Sequence, residues 1–101
     1  MQPTILSINL IAADPSVRNG RPCIAGTSIE VSAIVQETIL QGKEADEIAA
    51  DYDLSLAQVY AALAHYYENK PEIDATIRER RLIAQQMKEQ RIGSRHPSLF
   101  G

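Results

Sequence analysis

The sequence predicts a mainly α-helical protein: short N-terminal strands or a β-hairpin, then a trihelical core of the helix-turn-helix type, then a C-terminal helical extension. Three observations predict this class. Apolar residues alternate in part only near the N-terminus, turn-forming residues concentrate within residues 14–26, and apolar residues recur at helical spacing from residue 32 onward. The 101 residues suffice for one core, so we expect a domain over residues 1–70 and a partner-binding helix with a flexible tail over residues 71–101.

The N-terminal region is predicted to hold the only strands. Residues 4–14 alternate in part and are typical of one short strand, and residues 14–22 are rich in turn formers. Residues 23–31 contain two brief strand-compatible runs separated by Gly26. Because glycine tolerates a positive φ, a tight hairpin or a kinked strand is expected there.

Three helices are predicted to follow. The first begins with Ser32 as its N-cap and ends before Gly42, and the second covers residues 44–52 with acidic residues in its first turn. The third has the best-defined start, since Ser55 and Gln58 have the spacing of a capping box. Only residues 53–54 separate the second helix from this cap, as in a helix-turn-helix.

The C-terminal segment is predicted to be a further helix. Pro71 ends the third helix and stands in the first turn of the next, which runs to about residue 90. Its apolar residues Ile73, Ile77, Ala84 and Met87 roughly share one face, which Arg80 and Arg81 interrupt. Residues 91–101 lack helical periodicity, which predicts a tail that is disordered on its own.

Composition restricts the possible location of the protein. No apolar run approaches the roughly 20 residues that a membrane span needs. No basic residue precedes the N-terminal apolar stretch, so we expect a cytoplasmic protein without a secretory signal.

The net charge of −3 divides into −5 over residues 1–70 and +2 over residues 71–101, which fits a tail that meets a partner protein.

Catalytic chemistry is not expected. Cys23 is the single cysteine, and His65 and His96 are the only histidines, so neither a base for a nucleophile nor a clustered metal site is evident. A buried strand cysteine is the expected role of Cys23. We therefore predict no catalytic residue, no cofactor and no metal.

DNA binding is a separate hypothesis with mixed support. The helix-turn-helix pattern favours it, but residues 44–69 contain six acids and no Lys or Arg, whereas DNA-reading helices need basic neighbours on phosphates. Dimerisation could bring basic residues alongside. The candidate DNA contacts are Ser55, Gln58, Tyr60, Arg18, Arg21 and Lys43.

An ordered set of residues resembles a known family. The set comprises Gly20, Pro22, Ile24, Ala25, Gly26, Thr27, Ile29, Val31, Gly42, Glu47, Ile48, Tyr52, Leu54, Val59, Ala62, Leu63 and Tyr66. Over roughly residues 14–74 it resembles the domain of unknown function 433 family, whose members look like small homeodomain-like, helix-turn-helix antitoxins of the VapB type. The resemblance implies an N-terminal dimer contact, a trihelical unit open to binding its own promoter, and a C-terminal extension that wraps a PIN-like ribonuclease toxin.

The resemblance gives the functional hypothesis: a non-enzymatic antitoxin, homodimeric, that neutralises a PIN-like ribonuclease. The alternatives are a helix-turn-helix regulator without a toxin and an orphan protein-interaction module. Candidate dimer contacts are Ile5, Ile8, Ile24, Ile29 and Val31. Candidate toxin contacts, from basic charge and apolar anchors in the tail, are Arg78, Arg80, Arg81, Met87, Arg91, Ile92, Arg95, Leu99 and Phe100.

Overall fold

The structure is a computed structural model that describes the backbone of residues 3–4 and 9–100 and the side chains of residues 3–4 and 9–90. It is mainly helical, with a small N-terminal sheet, as the sequence predicts. The elements are β1 (Ile11–Ala12), a 3-10 turn (Arg18–Gly20), β2 (Cys23–Ile24), α1 (Val31–Val35) continued by a π-helical turn (Gln36–Leu40), α2 (Ala45–Tyr52), α3 (Leu56–Glu68) and α4 (Lys70–Phe100).

The predicted hairpin over residues 23–31 is confirmed. Cys23 bridges Glu30 in antiparallel fashion, and the turn between them contains Gly26 at φ 78°. On its other side β2 pairs antiparallel with β1, with Ile24 opposite Ile11. The strand predicted over residues 4–14 is limited to β1 in the described residues, and residues 5–8 lie outside them. The hairpin thus places Glu30 directly before α1.

Helix α1 begins two residues earlier than predicted. Glu30, not Ser32, is the N-cap residue, with an extended ψ of 147°. The early start places Val31 and Ile34 on one helical face, and both are fully buried. The Ser32 hydroxyl donates to Oε1 of Glu30 at 3.3 Å instead of capping the helix.

The end of this helix is as predicted, although its last turn is wider than an α-helix. The N–H of Gln41 donates to the carbonyl of Gln36, five residues back, at 3.2 Å. Gly42 then has φ 68°, a left-handed conformation that glycine adopts without steric cost and that ends helices.

The connection between α2 and α3 is a short turn held by backbone hydrogen bonds. The N–H of Leu54 donates to the carbonyl of Ala49 at 2.8 Å, and Asp53 is left-handed at φ 57°, which together form a Schellman ending. The predicted capping box is confirmed: the N–H of Gln58 donates to Oγ of Ser55 at 3.1 Å, and the N–H of Ser55 donates to Oε1 of Gln58 at 2.8 Å. One residue, Leu54, thereby ends one helix and precedes the next.

The core lies between β2 and the four helices. Within the described residues its buried cluster consists of aliphatic side chains and Tyr66, which is 4% exposed, and Cys23 is buried as well. Its buried members are Ile24, Val31, Ile34, Val35, Ile48, Ala49, Val59, Ala62, Tyr66, Ile73 and Ile77. The trihelical arrangement expected from α1, α2 and α3 is therefore present.

The first turns of α4 belong to this core, so the predicted boundary at residue 70 does not coincide with the packing. Ile73 and Ile77 are buried at 4% and 8% exposure, and the Tyr66 hydroxyl donates to Oδ1 of Asp74 at 2.8 Å. Their spacing of four residues puts both isoleucines on the face that meets α1 and α3.

The far end of α4 also differs from the prediction of a helix to about residue 90 with a disordered tail. The helix continues to Phe100. Once a helix has formed, each further residue other than Pro97 can add one hydrogen bond without a new nucleation cost, so a segment without amphipathic periodicity can continue it.

Replacement of Ser55 by alanine tests the capping box. We expect Ser55→Ala to lower the free energy of unfolding by about 1 kcal/mol, because the N–H of Gln58 loses its acceptor. Urea denaturation followed by circular dichroism measures the change. Ser55→Asp keeps an acceptor and should stay within about 0.5 kcal/mol of the natural chain; equal losses in both variants would contradict the assignment.

Candidate functional site

The most strongly organised polar group in the described residues is centred on Glu30. This carboxylate is 3% exposed, and its Oε2 accepts two hydrogen bonds of 2.7 Å, one from Nε of Arg18 and one from Nη2 of Arg80. Arg18 belongs to the 3-10 turn and Arg80 to α4, 50 residues further along the chain than Glu30. One buried carboxylate thus joins the N-terminal turn, the hairpin and α4. We call Arg18, Glu30 and Arg80 the arginine clamp.

Arg18 has an unusual backbone. Arg18, Asn19 and Gly20 have φ values of 50°, 58° and 78°, three left-handed residues in succession. Glycine and asparagine tolerate this region, but for arginine it costs on the order of 1 kcal/mol or more. Such strain persists only where surrounding contacts hold it in place, and here the bond to Glu30 does so.

The ionisation of Glu30 depends on its two partners. Burial opposes ionisation, but the hydrogen bonds and charges of Arg18 and Arg80 outweigh it, so the pKa of Glu30 lies below its ordinary value of 4.5. Glu30 is therefore an anion at neutral pH. Two guanidinium groups against one carboxylate leave the clamp with one surplus positive charge.

Two predicted site residues belong to the clamp. The sequence assigned Arg18 to DNA and Arg80 to a toxin, and the structure brings both to Glu30. Sequence reasoning missed Glu30 itself. The available signal was Arg80, a charged residue in the apolar stripe of α4, because a charge on a core-facing position requires a buried partner of opposite sign.

Three of the other predicted DNA contacts form hydrogen bonds within the chain, and a fourth is an exposed tyrosine. Ser55 and Gln58 bind each other in the capping box. Nζ of Lys43 donates to Oε1 of Glu37 at 2.8 Å and to Oδ2 of Asp51 at 3.1 Å, and these bonds raise the pKa of Lys43. Tyr60 is exposed on α3.

Arg21, the last of the predicted DNA contacts, is partly buried beside the 3-10 turn. Its Nη1 donates to the carbonyl of Arg18 at 3.4 Å. Five of the six predicted DNA contacts thus form hydrogen bonds within the chain, and Tyr60 is the sixth.

The predicted toxin contacts lie along α4. Arg78, Arg81 and Met87 are exposed, and so are the neighbouring Leu82 and Ile83. Every described side chain from residue 81 to residue 90 is exposed. The side chains of the remaining predicted contacts lie outside the described residues: Arg91, Ile92, Arg95, Leu99 and Phe100.

The predicted dimer contacts need correction. Ile24 and Val31 are both 0% exposed in the core of a single chain, so they present no surface to a second copy. They are buried because β2 and the first turn of α1 are covered by the helices that follow. Ile29 is partly buried against the same core, and Ile5 and Ile8 lie outside the described residues.

Cys23 has the surroundings of a packing residue. It is 4% exposed, and its Sγ donates to the carbonyl of Arg21 at 3.4 Å. Burial, followed by the charge of Glu30, raises the pKa of the thiol, which keeps it protonated and weakly nucleophilic at neutral pH. Within residues 3–4 and 9–90, no group of three or more His, Cys, Asp or Glu side chains could hold a metal ion.

Comparison with known proteins identifies the family. The family model described as protein of unknown function (DUF433) matches residues 11–66. The chain belongs to this family. The match runs from β1 into α3 and therefore includes Arg18 and Glu30, whereas Arg80 and α4 lie beyond it.

The remaining comparisons add no relatives. No curated protein and no solved structure matches the chain significantly. No helix in the described part of the chain has the length and apolar character that a membrane crossing requires.

The clamp predicts a pH-dependent contribution to stability. We expect Glu30→Gln to lower the free energy of unfolding by about 2 kcal/mol at neutral pH, less than for a fully buried pair because both arginines retain contact with water. The folded pKa of Glu30 is lowered, so its stabilisation is complete above pH 4.5 and is lost as the pH falls through the folded pKa.

Urea denaturation at several pH values measures this contribution. The difference between the natural chain and Glu30→Gln should shrink below pH 4.5. Glu68→Gln removes an exposed carboxylate and should change the stability by no more than about 0.5 kcal/mol at any pH. A pH-independent difference for Glu30→Gln would contradict a role for the charge.

Proposed function

We propose that the protein is a non-catalytic antitoxin that neutralises a PIN-like ribonuclease toxin through α4. The observation that carries the proposal is the uncovered apolar surface of this helix. Ile83 and Met87 are 46% and 62% exposed, so two large apolar side chains of this helix lie uncovered. The choice of a ribonuclease as the partner rests on the resemblance to VapB-type antitoxins.

One face of α4 is the best candidate for the docking surface. Ile73, Ile77 and Arg80 face the body of the protein, and Ala84 and Met87 continue the same face by steps of three and four residues. Beyond Arg80 the described body no longer covers this face, and Ile83 lies beside it. We call Ile83, Ala84 and Met87 the docking stripe. Anchors at such spacing are typical of a helix that binds in an apolar groove.

Charge supports an acidic partner surface. Residues 1–77 contain eleven acids and four bases, a net charge of −7, whereas residues 78–101 contain two acids and six bases, a net charge of +4. Two such basic segments repel each other, so the segment favours a partner of opposite charge over its equivalent in a second copy. The metal-binding pocket that the proposal assigns to the ribonuclease is acidic and meets this requirement.

DNA binding is not part of the proposal. The exposed part of α3 offers no cation, and Lys43 is bound to two carboxylates. We expect no salt-dependent binding of the chain alone to the duplex upstream of its own gene, even at about 50 mM salt. Fluorescence anisotropy with a labelled duplex measures this. Binding that weakens steeply with salt would instead favour the regulator hypothesis.

Matched substitutions on the two sides of α4 test the docking stripe. Met87→Glu places a charge in the stripe and should weaken the complex with the ribonuclease by roughly tenfold or more. Leu82→Glu introduces the same charge on the opposite side of the helix and should leave affinity nearly unchanged. The experiment co-expresses each full-length variant with the small nuclease encoded beside the gene, and measures growth rescue and co-purification.

Full-length variants are preferable to truncation after Pro71, because that truncation also removes the buried Ile73 and Ile77. Equal rescue by Met87→Glu and the natural chain would place toxin binding elsewhere. Absence of any complex between the natural chain and a neighbouring nuclease would reject the antitoxin proposal and favour an orphan interaction module.

A further inference from the structure

A cavity of about 260 Å³ opens beside the arginine clamp. It lies where the 3-10 turn, the hairpin, α1, α2 and α4 meet, and its polar lining consists of Arg18, Ser28, Glu30, Tyr52 and Arg80. This volume is slightly below the usual range of pockets for drug-sized ligands, so it suits a small molecule or a single functional group.

The charge in this cavity exceeds what Glu30 requires. One arginine would neutralise the carboxylate, yet two guanidinium groups converge on its Oε2. Glu30 accepts one hydrogen bond from each arginine. A guanidinium carries five N–H donors, so both arginines retain donors beyond this bond. The side chains of Arg18 and Arg80 are 51% and 30% exposed, which leaves them accessible from solvent.

The backbone of Arg18 independently indicates a functional role. This arginine occupies a left-handed conformation at φ 50°, immediately before Asn19 and Gly20, for which such a conformation is ordinary. Backbone strain in a residue that contacts a cavity is typical of ligand clamps, where it pre-organises the binding group. The strained backbone of Arg18 thus coincides with the placement of a second cation at the cavity.

We infer that the cavity binds a small oxyanion, a phosphate or carboxylate group, between Arg18 and Arg80. A guanidinium presents paired N–H donors that match two oxygens of such a group, and the bonds are charge-assisted. The hydroxyl of Ser28 lies in the lining and can supply a further donor. The bound anion neutralises the surplus charge that Glu30 leaves. This site goes beyond the proposed antitoxin function and does not depend on it.

Titration of the full-length chain tests the site. Isothermal titration calorimetry at low ionic strength, with inorganic phosphate and with succinate as separate probes, should give saturable one-to-one binding of at least one of them. The NMR resonances of the Nε–H groups of Arg18 and Arg80 should shift in proportion to the fraction of protein that has bound the anion. Saturation by phosphate alone or by succinate alone identifies which oxyanion the cavity prefers.

Matched variants separate the site from general charge. Arg18→Gln and Arg80→Gln should each weaken anion binding roughly tenfold or more, since each removes charge-assisted donors. Arg81→Gln removes the same charge from an exposed neighbour outside the cavity and should change the affinity by no more than about twofold. Equal weakening by Arg81→Gln, or no saturable binding of either probe, would overturn the inference.

A variant that retains the charge guards against loss of the fold. Arg18→Lys preserves an ion pair with Glu30 but removes the guanidinium fork. With the helical circular dichroism of the natural chain retained, this variant should still lose most of the anion affinity. Unchanged affinity in folded Arg18→Lys would overturn the assignment of Arg18 as an anion-binding residue.

Discussion

The bond between a buried carboxylate and two arginines from distant parts of the chain joins the N-terminal turn and α4 to the start of α1. Glu30 follows the hairpin and precedes α1, so its side chain lies where the N-terminal sheet meets the helices. Arg18 fixes the preceding turn to it, and Arg80 fixes α4. An unpaired charge at 3% exposure would be strongly unfavourable, so the positions of the turn and of α4 are constrained together.

Local signals predicted most of the fold. The capping box at Ser55, the stop at Gly42 and the hairpin turn at Gly26 each depend on residues within a few positions of one another, and all three were correct. The start of α1 was misplaced because Ser32 is a good N-cap in isolation, whereas burial of Val31 decides the register. Local capping preferences are weaker than the burial of a large aliphatic side chain in the core.

The candidate sites were less predictable because they depend on contacts between distant residues. Nothing near Arg80 in the sequence indicates that its partner lies 50 residues earlier. Likewise, the sequence alone does not distinguish an interface position from a core position for Ile24 and Val31. The packing of α1 and α3 shows that both belong to the core. Exposure of the docking stripe was equally hidden, since the same helical spacing runs from Ile73 and Ile77 past Arg80 to Ala84 and Met87.

The anchoring of α4 has a mechanical consequence. The helix is fixed to the body by Ile73, Ile77 and Arg80, and about 20 residues extend beyond this point, a length of about 30 Å at the rise of an α-helix. A small tilt of α4 about its contact with Glu30 is therefore amplified along the helix. A tilt of about 10° at this contact would displace the far end by about 5 Å, roughly one helical turn.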